Sequence, residues 1–173
     1  MRVKHGITVA RLLAEPRLEH ILQLVAGEDG LERTIDHPRV QKPGLALTGH
    51  THGVVPTRVQ ILGETEITYL ESFDRAEQAE RLEGLFSLGL SLVVVTRGVE
   101  PPEALLEAAR RSSTPVVVAE PRSSRTIQSM HLALDGMLAP SVSRHGVLMD
   151  VHGIGILLLG PSGIGKSECA LFL

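Results

Sequence analysis

The sequence predicts an α/β fold, with a small and mostly parallel sheet flanked by helices in the N-terminal part of the chain. Two short runs rich in valine, residues 91–98 and 115–120, have the composition of strands that are buried on both faces. Segments with helical periodicity lie before, between and after these runs. Alternation of strands and helices along a chain is typical of a parallel sheet whose connections are helices.

The composition narrows the classes of protein that need to be considered. A length of 173 residues fits one domain plus the start of another. The formal net charge of −3 argues against a non-specific nucleic-acid binder. Cys169 is the only cysteine, which excludes an internal disulfide and suits the cytoplasm. The first twenty residues have the pattern of neither a signal peptide nor a membrane span, so we expect no membrane partner.

Capping residues, apolar patterns and prolines predict the secondary structure of the first third of the chain. Thr8 is expected to cap a short helix that directs Val9, Leu12 and Leu13 inward. Residues 21–27 fit either the end of a helix or a strand, and the sequence leaves both open. Residues 58–63 are predicted as a strand that follows a loop containing prolines.

Three helices are predicted around the two valine-rich runs. The first begins after Asp74, which can cap it, and its inward stripe is predicted as Ala76, Ala79, Leu82 and Phe86. The second spans residues 101–113, with prolines at its start and arginines in its last turn. The third spans residues 123–138, with Ser123 or Ser124 as its cap.

The pattern changes after Pro140. Residues 143–151 and 154–159 are predicted as two strands joined by a tight turn at His152-Gly153. We therefore predict a regulatory or docking domain over residues 1–138 and the beginning of a second domain over residues 139–173.

Residues 160–167 read GPSGIGKS and match the complete P-loop pattern, G-x-x-x-x-G-K-[ST]. In such a loop, backbone N–H groups surround phosphate oxygens, the lysine reaches the β- and γ-phosphates, and the serine hydroxyl ligates Mg²⁺. The alternative is a glycine-rich turn that happens to contain a lysine. The predicted nucleotide-binding residues are Gly160, Pro161, Ser162, Gly163, Ile164, Gly165, Lys166 and Ser167, with Ser167 as the Mg²⁺ ligand.

The sequence from His145 to Glu168 resembles the start of the catalytic domain of HPr kinase/phosphorylase. The resemblance rests on the strand HGVLMD at 145–150, the P-loop, and the glutamate that follows its serine. Earlier segments also look like the N-terminal domain of that family, in the same order, so the resemblance covers nearly the whole chain. These segments are QKPGLALTGH, RVQILGETEITYL, LVVVTRGVEPPEALLEAA and the Ser-Ser-Arg at 123–125.

The resemblance implies a fold and an activity. The first domain would be similar to the N-terminal domain of Mur ligases, and the second to phosphoenolpyruvate carboxykinase. The activity would be phosphorylation of a serine of HPr, the phosphocarrier protein of the sugar phosphotransferase system, with ATP or pyrophosphate and with Mg²⁺. The reverse reaction would be a phosphorolysis in which phosphate attacks the phosphoserine to give pyrophosphate. The full-length protein would be a cytoplasmic homohexamer that regulates carbon metabolism.

The resemblance also implies roles for individual residues. His145 and Lys166 would be catalytic, and His145 lies 21 residues before Lys166, which matches the spacing of the family. His145 would hydrogen-bond a phosphate oxygen or move a proton; the alternative is a structural histidine at a strand end. Glu168 would either assist Mg²⁺ through a water or only complement the helix dipole. Asp150 is expected to hold the turn.

Some features depart from the family. Pro161 replaces an aspartate found in many members, which removes an N–H donor and a carboxylate, and His152 replaces a common tyrosine. The acidic pair, the HPr-contacting segment and much of the hexamer interface follow the P-loop in the family, so we expect this chain alone to be inactive. Two other functions stay open: a stand-alone ligand-sensing or assembly module with a vestigial P-loop, and a small-molecule P-loop kinase.

Overall fold

The computed structural model describes residues 6–140 and 144–172. The chain divides into two compact units, Met1–Ala139 and Pro140–Leu173. The strands of the first unit are β1 (Ile7–Thr8), β2 (Leu22–Ala26), β3 (Thr34–Ile35), β4 (Val59–Leu62), β5 (Leu92–Thr96) and β6 (Val116–Ala119). Its helices are α1 (Val9–Leu13), α2 (Glu64–Glu71), α3 (Arg75–Phe86), α4 (Glu103–Ser112) and α5 (Ser123–Leu138), with 3₁₀ turns at Glu28–Gly30 and Gly44–Thr48.

The main sheet of the first unit has the strand order β2-β6-β5-β4 within the described residues. Strands β4, β5 and β6 are parallel, whereas β2 pairs with β6 in the antiparallel direction. The predicted α/β fold with a mostly parallel, helix-flanked sheet is therefore confirmed. Residues 21–27, which the sequence left open, contain the edge strand β2. Strands β1 and β3 form a separate antiparallel ribbon.

The alternation of side chains along β5 explains why its sequence is an uninterrupted apolar run. Val93 and Val95 face one hydrophobic cluster together with α2, α3 and α4. Leu92 and Val94 face a second cluster together with α1 and α5. Since helices cover both faces of the sheet, each of these side chains is fully buried and contributes about 1.5–3 kcal/mol to folding.

Two of the three helix caps predicted from the sequence are present in the structure. The Thr8 hydroxyl accepts a hydrogen bond from the Arg11 N–H at 3.2 Å, and the Asp74 carboxylate accepts one from the Glu77 N–H at 2.9 Å. The prediction for α5 is wrong, because the helix starts one residue early and the residue before it is Arg122, which makes no side-chain cap. The hydroxyl of Ser123 instead lies 2.6 Å from that of buried Thr96.

The inward stripe of α3 is also partly wrong. Leu82 and Phe86 are buried as predicted, together with Leu85. Ala76 is exposed. It lies six positions before Leu82, and this separation turns the helix through about 600°, which leaves the two side chains about 120° apart. Among residues 6–140 and 144–172, no helix is both long enough and apolar enough to cross a membrane.

The second unit contains β7 (Gly146–Val151), β8 (Ile154–Leu159) and α6 (Lys166–Leu171). None of the described residues in these three elements is buried. The large apolar side chains of this unit that are exposed are Leu148, Ile154, Leu157, Leu159, Ile164, Leu171 and Phe172. The predicted start of the first strand at residue 143 lies outside the described residues.

Gly27 provides a test of how tightly the first unit is packed. Its φ of +77° lies in the left-handed region, and a Cβ there would lie 2.1 Å from the carbonyl oxygen of Thr114. We expect Gly27→Ala to lower the free energy of unfolding by about 2–4 kcal/mol. The control, Gly84→Ala in α3, meets no atom within 4 Å and should raise that free energy by about 0.5–1 kcal/mol. Urea unfolding measures both, and a Gly27→Ala chain as stable as wild type would contradict this packing.

Candidate phosphate-binding site

The site begins with the hairpin formed by β7 and β8. The strands pair in antiparallel register from Gly146 opposite Leu159 to Val151 opposite Ile154. The turn residues His152 and Gly153 both have positive φ, +55° and +83°, as a type I′ turn requires. As predicted, Asp150 holds this turn, since its carboxylate accepts a hydrogen bond from the Gly153 N–H at 2.8 Å.

The register of the hairpin brings His145 to the P-loop. Leu159 ends β8 and directly precedes the loop, and its partner Gly146 directly follows His145. The open end of the hairpin therefore places the imidazole beside the glycine-rich loop. A pocket of about 320 Å³ lies there, lined by His145, Gly146, Val147, Ser162, Gly163, Gly165, Lys166, Ser167 and Glu168.

Five of the eight residues predicted to bind nucleotide line this pocket, and three do not. The three are Gly160, Pro161 and Ile164, and the Ile164 side chain is 65% exposed. Sequence reasoning missed Gly146 and Val147. Pairing the two predicted strands across their two-residue turn would have found Gly146 at the mouth of the loop.

The loop depends on glycines where its backbone turns. Gly163 and Gly165 have φ values of +82° and +88°, which residues with a Cβ rarely adopt. A Cβ on Gly165 would also lie 3.0 Å from the Glu168 carboxylate. Gly165 precedes the first residue of α6, so the strand, loop and helix order expected of a P-loop is present.

Lys166 is held by the first residues of its own loop. Its ammonium donates to the carbonyl oxygens of Gly160 at 2.9 Å and Pro161 at 2.6 Å. Because an ammonium carries three N–H groups, one donor is left for a ligand in the pocket. The lysine is therefore oriented before a ligand arrives.

The other polar side chains of the pocket are the exposed His145, Ser162, Ser167 and Glu168. A hydroxyl and a carboxylate are hard oxygen donors of the type that Mg²⁺ prefers. Among the described residues, no group of three or more His, Cys, Asp or Glu side chains is arranged to hold a metal. The chemistry of the Ser167 hydroxyl and the Glu168 carboxylate therefore fits Mg²⁺.

A strand that runs into a glycine-rich loop, followed by a helix that opens with Lys-Ser, defines a P-loop protein. The chain belongs to the HPr serine kinase family. Residues 7–134 match the family described as "HPr Serine kinase N terminus", and residues 136–173 match "HPr Serine kinase C-terminal domain". The predicted family membership is confirmed.

A curated relative and a solved structure add to this comparison. The chain is 45% identical over 168 residues to a protein of Geobacter sulfurreducens named HPr kinase/phosphorylase. That match covers 97% of this chain and 53% of the relative, so the chain spans about half the length of the relative. The structure of the CBS and DRTGG domains of the regulatory region of Clostridium perfringens pyrophosphatase, complexed with diadenosine tetraphosphate, is 17% identical, with a TM-score of 0.47. The match covers 76% of this chain and 53% of the pyrophosphatase chain. A structural similarity this low supports no conclusion about fold or function.

The turn of the hairpin can be tested without touching the pocket. Asparagine adopts positive φ more readily than histidine, so His152→Asn should stabilise the hairpin by roughly 0.5 kcal/mol. His152→Val should destabilise it by about 1–2 kcal/mol, because a β-branched residue is strained there. Amide hydrogen exchange of residues 146–159 measures both. Equal protection in the two variants would contradict the assigned turn.

Proposed function

We propose that the chain is the N-terminal domain and the start of the catalytic domain of an HPr kinase/phosphorylase. The full-length protein would use ATP or pyrophosphate to phosphorylate a serine of HPr, and would dephosphorylate it with inorganic phosphate to release pyrophosphate. The observation that carries this proposal is the pocket in which His145 and the P-loop residues meet. Phosphate, pyrophosphate and the tail of ATP share the chemistry that such a loop binds.

The loop residues would bind and orient the phosphates. Phosphoryl transfer depends mostly on positioning and on neutralising charge, and less on covalent participation by the protein. The N–H groups from Ser162 to Ser167 would surround the phosphate oxygens, and the free N–H of Lys166 would bind the β- or γ-phosphate. Mg²⁺ bound with ATP would neutralise phosphate charge, with Ser167 as its ligand and Glu168 acting through a water.

His145 would act from the residue that directly precedes β7, which lines the pocket together with the loop. Its imidazole would donate a hydrogen bond to a phosphate oxygen or move a proton, since imidazole exchanges protons near neutral pH. Both roles require the ring to face the loop, and the pocket lining supports that arrangement.

The chain alone would be inactive, and residues 1–138 would serve regulation or docking. The exposure of the second unit supports the proposal that the chain alone is inactive, because none of the described residues of β7, β8 and α6 is buried. A strand as apolar as β8 normally lies inside a sheet with both faces covered. We propose that further parts of the full-length protein cover it. That protein would be a cytoplasmic homohexamer with no nucleic-acid or membrane partner.

Lys166 provides the first test. In the full-length protein, Lys166→Met should weaken binding of pyrophosphate by about 10–100-fold, because a charged hydrogen bond is lost. It should slow phosphorylation of HPr by about 10²–10³-fold. Lys42→Met is the matched control, since Lys42 pairs with Glu66 in the first unit and should change neither quantity. Calorimetry and transfer of labelled phosphate measure these effects. A full-length protein that phosphorylates small molecules and ignores HPr would overturn the proposal.

His145 provides the second test. His145→Ala should slow phosphorylation of HPr by about 10²–10⁴-fold if the ring moves a proton. His145→Gln retains an N–H donor but cannot carry a proton, so recovery of the rate in this variant would assign the ring to hydrogen bonding. His152→Gln changes the histidine at the other end of the hairpin and should leave the rate unchanged. A wild-type rate in His145→Ala would exclude a catalytic role for this residue.

A further inference from the structure

Gly146 lies at the open end of the hairpin, directly after His145 and opposite the last residue before the loop. It is the first paired residue of β7, lies opposite Leu159, and lines the pocket. Its φ is not among the positive values, so backbone conformation does not explain a glycine here. Glycine weakens a strand interior, and where it occurs it often marks the close approach of another backbone.

The surroundings of Gly146 show such an approach. A Cβ at this position would lie 2.7 Å from the carbonyl oxygen of Leu158. It would also lie 3.0 Å from side-chain carbons of both Leu157 and Leu159. The two leucines can change rotamer, but the carbonyl belongs to the pairing strand. A side chain at residue 146 can therefore be accommodated only by moving the start of β7 away from the end of β8.

Such a movement would change the pocket directly. His145 immediately precedes Gly146 and would move with β7, whereas the P-loop follows β8 and would stay in place. We propose that Gly146 is a positioning residue, which holds His145 against the P-loop by allowing the two strands to approach closely at the open end of the hairpin. The inference rests on the proposed function, in which His145 acts on a phosphate bound by the loop.

The same hairpin contains a matched control. Gly155 lies opposite Asp150, so it is on the same face as Gly146 but at the far end of the hairpin. A Cβ on Gly155 would meet no atom within 4 Å. Gly155→Ala therefore makes the same chemical change in the same sheet without the steric conflict, and Gly155 does not line the pocket.

The test is a double-mutant cycle in the full-length protein. Gly146→Ala should slow phosphorylation of HPr by roughly tenfold to a hundredfold, as expected for a displaced reacting group. In the His145→Ala background, Gly146→Ala should add less than about a twofold effect, because the group it displaces is already absent. Gly155→Ala should stay within about twofold of its parent in both backgrounds. The proposal would be overturned if Gly146→Ala slowed phosphorylation by the same factor with and without His145. It would also be overturned if Gly155→Ala slowed phosphorylation as much as Gly146→Ala.

A second readout is independent of catalysis. In the wild type, NMR should show nuclear Overhauser contacts between the His145 ring and the loop amides of residues 162–163. These contacts should disappear in Gly146→Ala and persist in Gly155→Ala. Their survival in Gly146→Ala would refute the positioning role even if HPr proved not to be the substrate, whereas their loss in an enzyme that ignores HPr would refute only the proposed function. If Gly146→Ala does not melt cooperatively, the contacts are measured in the double variant Gly146→Ala/Leu159→Ala, which relieves one of the side-chain conflicts. The Leu158 carbonyl still conflicts with the added Cβ there, so the contacts should again be lost, and their survival would refute the positioning role.

Discussion

The candidate site depends on one constraint, the backbone pairing of β7 with β8. In an antiparallel hairpin with a fixed two-residue turn, the residue that precedes the first strand must lie beside the residue that follows the second. Here those residues are His145 and Gly160, so the imidazole and the loop become neighbours through local hydrogen bonds alone. A slip of the pairing by one residue would move His145 to the other face and separate it from the loop.

The two units are stabilised in different ways. In the first, helices bury both faces of a sheet, and side chains such as Val93 and Val94 provide most of the stabilisation. In the second, the geometry comes from strand pairing and a tight turn, while leucines such as Leu148 and Leu157 are 74% and 48% exposed. A hairpin without a covered face is only marginally stable in water. The geometry of the site is thus specified locally, by strand pairing and a tight turn, and not by burial.

The sequence predicted those features that depend on neighbouring residues. The caps at Thr8 and Asp74 and the Asp150 turn each involve groups three residues apart, and all are present. Errors arose where tertiary packing decides. Ala76, Ala79 and Leu82 are each three residues apart, but two such steps leave Ala76 about 120° from Leu82, outside the sector of α3 that the first unit buries. Residues 21–27 stayed undecided because β2 is an edge strand that is only half-buried, so its sequence shows neither strict alternation nor a continuous apolar run.

In the candidate site, too, some features can be predicted from neighbouring residues and others depend on the three-dimensional structure. The P-loop pattern is recognisable from spacing alone, whereas the catalytic role proposed for His145 comes from resemblance and not from its residue type. The sequence alone does not indicate a functional role for Gly146, because a glycine in a strand has several explanations until the pairing register is known.

The loop also explains why a proline at its second position is compatible with phosphate binding. Pro161 lacks an N–H, and the sequence suggested that a donor to the ligand is missing. However, Pro161 does not line the pocket, and its carbonyl oxygen accepts a hydrogen bond from Lys166. The acceptors that hold the lysine thus come from the start of the loop, and the donors available to a ligand come from residues 162–167. Since Lys166 and Glu168 carry opposite charges, selectivity for phosphate would come from the direction of these donors and not from net charge.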